Sequence, residues 1–98
     1  MNNQNEGTLA FLLKHEHRDW TTNSNGYDFG SFEKPGLSAN AVKHPDKTIE
    51  LKFYGPFGQL RFRRPIPRCD ERGLQVVITW RDSEVKLYLN GELVDTVP

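Results

Sequence analysis

The segment Leu74–Val97, "LQVVITWRDSEVKLYLNGELVDTV", leaves the chain little choice but strands. Leu74, Val76, Ile78 and Trp80 recur at every second residue, with Val77 and Thr79 between them. A period of two places the first set on one face of an extended chain. The polar stretch "RDSE" turns the chain, and Val85, Leu87 and Leu89 then alternate with Lys86 and Tyr88. Asn90-Gly91 follows, and both residues tolerate the positive φ that a type I′ hairpin turn demands. The segment therefore predicts a meander of strand, turn, strand, tight turn and strand.

The rest of the chain reads in the same way. "TLAFLLK" starts a strand at Thr8, with Leu9, Phe11 and Leu13 on one face. A helix over Leu9–His17 is the rival reading, but Gly7 sits at its start and no strong capping box precedes it. Residues 1–7 are expected to be a disordered polar lead-in to a single domain over 8–98. From Thr21 to Lys47 the sequence reads as loop, interrupted by a short strand at "YDFGSF" with a bulge at Gly30. "TIELKFY" turns Ile49, Leu51 and Phe53 inward, and Glu50, Lys52 and Tyr54 outward. "GPFG" forms a turn, and "QLRFRR" returns with Leu60 and Phe62 inward and Arg61 and Arg63 outward. Pro65 and Pro67 close that hairpin, because proline has no N–H for a ladder. About six or seven strands without a helix define an all-β chain, expected as an antiparallel β-sandwich.

Size and charge narrow the function classes. With 98 residues the chain supplies one small core. Thirteen basic and thirteen acidic residues cancel, so the overall positive field that favours nucleic acid or an anionic membrane is lacking. No nucleic-acid or membrane partner is expected. Cys69 is the only cysteine, which excludes an intrachain disulfide. The start "MNNQNEGT" has no apolar core of a signal peptide, and no apolar run reaches the length of a membrane span. Localisation stays open.

Within this pattern the sequence resembles the concanavalin A-like lectin/glucanase jelly rolls, in particular their laminin G-like and pentraxin-like branch. The resemblance rests on Thr79-Trp80, the turn Arg81-Asp82-Ser83, then Tyr88, Asn90 and Gly91; on the opening "GTLAFLLK"; and on the middle hairpin "TIELKFYGPFGQLRFR". It implies a jelly-roll-like sandwich. It also implies one of the functions that fold hosts: glycan binding, protein binding or glycoside hydrolysis. Members usually continue beyond this hairpin, whereas this sequence stops at Pro98. A shortened (truncated) sandwich, a fragment, and a core completed by a second chain are all open at this point.

Glycoside hydrolysis needs two carboxylates across the scissile bond. No strand carries the alternating acidic run of the glucanases; Glu16 and Asp19 would point to opposite faces, and Glu50 stands alone. No catalytic residue is assigned and no enzyme is expected. His15 and His17 have ligand-compatible spacing, with His44 or Asp46 as a third donor, but rim histidines are the plainer reading. Asp19, Asn23, Asn25 and Asp28 offer oxygens for calcium without a loop motif, so a polar turn is preferred. No metal and no cofactor is assigned. Arg61, Arg63, Arg64 and Arg68, with Tyr54 nearby, offer forked hydrogen bonds to an acidic glycan or phosphate. The plainer reading is a solvated face balanced by Glu50, Asp70 and Glu71. Trp20, Tyr27, Phe29 and Phe32 are either platforms for sugar rings or a lid over one end of the core.

The expected function is a non-catalytic, lectin-like carbohydrate-binding module, with Trp20, Tyr27, Asp28, Tyr54, Arg61 and Arg63 as ligand-binding candidates. The alternative is a structural or protein-interaction domain that self-associates as a homodimer through its sheet edges.

Overall fold

The computed structural model describes residues 6–98, so residues 1–5 of the expected lead-in lie outside it. Eight strands form in order: β1 (Glu6–Leu13), β2 (Tyr27–Lys34), β3 (Leu37–Lys43), β4 (Thr48–Gly55), β5 (Gly58–Pro65), β6 (Leu74–Arg81), β7 (Glu84–Leu89) and β8 (Glu92–Val97). They make two four-stranded antiparallel sheets, ordered β1-β6-β7-β8 and β2-β3-β4-β5. The all-β class and the two antiparallel sheets are as expected. Each sheet belongs to its own compact unit, one comprising the chain up to Lys14 and from Cys69 onward, the other His15–Arg68. β1 starts at Glu6, two residues before the predicted start.

In the first sheet the alternation read from the sequence is the burial pattern. Leu9 and Leu13 of β1, Leu74, Val76, Ile78 and Trp80 of β6, and Val85, Leu87 and Leu89 of β7 are buried. The register aligns them: Leu9 faces Ile78, and Ile78 faces Leu87. Gly7 pairs with Trp80, and a Cβ at Gly7 would come within 2.4 Å of the indole ring. Asn90 and Gly91 have φ of 50° and 81°, as a type I′ turn requires.

The second sheet departs from expectation at β3. The sequence pattern reads "LSANAVK" as loop, yet Ala39, Ala41 and Lys43 are buried on one face, opposite Phe53, Leu51 and Ile49 of β4. Pro35-Gly36 joins β2 to β3 as a two-residue turn with φ of 75° at Gly36. That is the proline-then-glycine order of a type II turn. The bulge expected at Gly30 is present, as a register shift between Asp28 and Gly30.

Two substitutions separate backbone strain from crowding. A Cβ at Gly91 meets nothing within 4 Å, so Gly91→Ala carries only the strain of positive φ. It should cost about 1 kcal/mol in urea unfolding. Gly7→Ala carries only the collision with Trp80 and should cost about 1–3 kcal/mol.

Candidate functional site

The polar face of the second sheet holds an open groove of about 550 Å³. Strand register builds its walls in two rows. Ser31, Asn40, Lys52 and Arg61 form one row across β2, β3, β4 and β5. Glu33, Ser38, Tyr54 and Gln59 form the next. All eight side chains line the groove. Tyr54 is 52% exposed, so a ring face is available beside planar amides and cations. The backs of β3 and β4 bury Ala39, Leu51 and Phe53, which fixes the strands and hence the spacing of the polar rows.

The next row contains Val42, Glu50 and Arg63. Glu50 is buried, and its two oxygens are divided between neighbours. Oε1 lies 2.6 Å from His44 Nε2, and Oε2 forms an ion pair with Arg61, 2.5 Å from its Nε. The His44 hydrogen bond, with the Arg61 and Lys52 charges behind it, holds the Glu50 carboxyl below its ordinary range against the opposing effect of burial. Arg63 turns away to the β3–β4 connection. Its Nε donates to Thr48 Oγ1 at 3.0 Å and its Nη2 to Asp46 Oδ2 at 2.8 Å. Asp46 is lowered in turn, chiefly by the Thr48 hydroxyl.

Of the six ligand-binding candidates, the groove contains Tyr54 and Arg61. Arg63 shares the face but serves the turn. Asp28 accepts the Gly30 N–H at 2.8 Å and shapes the bulge. Trp20 is 3% exposed and meets the Phe29 ring edge-on at 5.0 Å, the lid arrangement rather than a platform open to solvent. Tyr27 accepts from Asn23 Nδ2 at 2.7 Å, and its ring lies 4.3 Å from the His15 ring and 5.6 Å from the Lys43 ammonium.

The oxygens considered for calcium have other partners. Lys43 is fully buried, and its Nζ donates to the carbonyls of Asn23 and Asn25, both at 2.6 Å, and to Asn23 Oδ1 at 3.1 Å. His15 Nδ1 accepts the His17 backbone N–H. Among the described residues, no cluster of three or more His, Cys, Asp or Glu side chains is placed to hold a metal. Burial pushes the Cys69 thiol up, the direction opposite to nucleophile activation.

Sequence reasoning missed Asn40, Ser31, Ser38, Glu33 and Gln59 as groove residues. Asn40 and Ser38 lie on the strand read as loop. Lys52 was placed outward but not joined to Arg61, although counting back from the "GPFG" turn pairs them. Comparison with family models, with curated proteins and with solved structures finds no match for this chain.

Two measurements probe this arrangement. Lys43→Met leaves the Asn23 and Asn25 carbonyls without the Lys43 donor, while Asn23 Oδ1 keeps the Asn25 N–H, and should cost about 2–3 kcal/mol in urea unfolding. Glu50 has a folded-state pKa below its unfolded value. Its contribution is therefore complete above about pH 5 and is lost as pH falls through the folded value. The stability gap between wild type and Glu50→Gln should be widest near pH 7 and close toward pH 3. A gap independent of pH would contradict the assignment.

Proposed function

We propose that this chain is a non-catalytic carbohydrate-binding module, lectin-like in the manner of the concanavalin A-like domains its sequence resembles. The observation that carries the reading is the half-exposed Tyr54 ring set among Asn40, Lys52, Gln59 and Arg61 in one groove. The C–H face of a sugar is apolar and stacks on an aromatic ring, while its hydroxyls need in-plane donors and acceptors. A groove over four strands suits an extended oligosaccharide better than a compact metabolite, because its floor is a flat ladder open to solvent.

The test is a glycan array covering neutral and acidic oligosaccharides, followed by titration of each hit with Tyr54→Ala. The variant should weaken binding at least tenfold while leaving the melting temperature nearly unchanged, since Tyr54 is an outward residue. An array without signal would sink this reading.

A second reading, self-association through the first sheet, draws on a different observation. Leu12 and Leu93 are 50% and 48% exposed, and they lie on β1 and β8, the two edge strands of that sheet. Sedimentation velocity distinguishes it: a dimer that Leu93→Lys dissociates would favour this reading.

A further inference from the structure

The groove holds an electrostatic arrangement that a site for neutral sugars does not need. Lys52 and Arg61 are direct cross-strand partners on β4 and β5. Like charges placed opposite one another destabilise a sheet. The remedy available within the fold is incomplete. Glu50 takes the Arg61 Nε, but it is shared with His44. Among the described residues, Arg61 has no ion-pair partner besides Glu50, and Lys52 makes no hydrogen bond and no close ion pair, its charge reaching Glu50 only from a distance. Glu33, the other groove carboxylate, sits on β2, two strands away from Lys52.

Glu50 also orients what it holds. With its Nε held against Glu50 at 2.5 Å, the guanidinium is anchored on one side, and its terminal amino edge is the part that can meet a ligand. Arg61 is 65% exposed along its side chain despite that contact. A carboxylate or a sulfate matches such an edge, because two of its oxygens can take two parallel N–H donors. Lys52 adds a compact charge beside it.

We propose that the groove selects anionic polysaccharides, with a carboxylate or sulfate group held between Lys52 and Arg61 and a neighbouring sugar ring on Tyr54. The proposal rests on the carbohydrate-binding reading above and adds the class of glycan. Glu50 is the positioning residue for Arg61. Since the chain's formal charge is zero, the selection comes from this local pair and not from a general positive field.

Calorimetric titration with three probes tests it: oligogalacturonate for carboxylate, a heparin oligosaccharide for sulfate, and cellohexaose for a neutral chain. At least one anionic probe should bind tenfold or more tighter than cellohexaose, and its affinity should fall as sodium chloride rises from 50 to 300 mM. Which anionic probe wins identifies the group. Lys52→Gln and Arg61→Gln should each weaken that probe about tenfold and weaken cellohexaose clearly less, so that the anionic preference shrinks. Glu50→Gln should weaken it less, with Glu50→Asp recovering part of the loss. Arg81→Gln, a basic residue of the other sheet, is the control and should have no effect. Equal binding of all three probes, or losses as large in Arg81→Gln, would overturn the anion selectivity while leaving carbohydrate binding in place. Failure of every probe together with a silent array would overturn both.

Discussion

A buried ammonium must find oxygen acceptors, and in the second unit that requirement organises the segment leading into the sheet. Lys43 closes β3 with no exposure to solvent, and its three N–H groups face three oxygens of Asn23 and Asn25. The cost of removing a cation from water is recovered only when each donor is satisfied. The connection between β1 and β2 is therefore folded onto the end of β3. Asn23 is the hub: its amide nitrogen reaches Tyr27, its Oδ1 takes the Asn25 N–H, and both its oxygens take Lys43. A tethered ammonium fills the role that a bound cation fills in many oxygen-rich loops. The Tyr27 ring gains the same charge on its face at 5.6 Å.

From that anchored end the sheet is generated by short turns. Lys34 pairs with Leu37 across Pro35-Gly36, and Gly55 pairs with Gly58 across Pro56-Phe57. Two-residue connections leave no slack, so register is fixed and with it the face each side chain occupies. Burial of Ile49, Leu51, Phe53 and Phe62 selects which face is covered. Tyr54, Lys52 and Arg61 are placed on the groove side as a consequence.

Strands announced themselves where buried side chains were large. Ile49, Leu51 and Phe53 in β4, and Val76, Ile78 and Trp80 in β6, alternate with polar residues and were legible directly. β3 was not, because its buried positions are Ala39, Ala41 and Lys43. Alanine carries a weak apolar signal, and lysine carries the opposite one. The signal that would have found the strand was Pro35-Gly36, a turn dipeptide between two alternating stretches. Losing β3 meant losing half of the groove, since Asn40 and Ser38 lie on it. Tyr54 and Arg61 were legible as outward residues of a hairpin. Trp20 and Asp28 misled because an aromatic or a carboxylate in a turn-rich segment looks the same whether it serves a ligand, a lid or a bulge. Only the buried ring of Trp20 and the Gly30 N–H on Asp28 distinguish these.

The two basic pairings of Glu50 and Asp46 show how this face divides its charges. Arg63 stands directly opposite Glu50 in the ladder, the arrangement expected to form a cross-strand ion pair. It instead reaches Asp46 and Thr48, closing the β3–β4 turn. Glu50 is thereby released to its diagonal neighbour Arg61. A direct Glu50–Arg63 pair would leave Arg61 facing Lys52 with no fixed orientation. The chain thus uses one arginine to hold a turn and places the other, through a buried carboxylate, at the groove. Neither side chain is needed to bury apolar surface, so their disposition answers to charge placement on the solvent face and not to the requirements of the core.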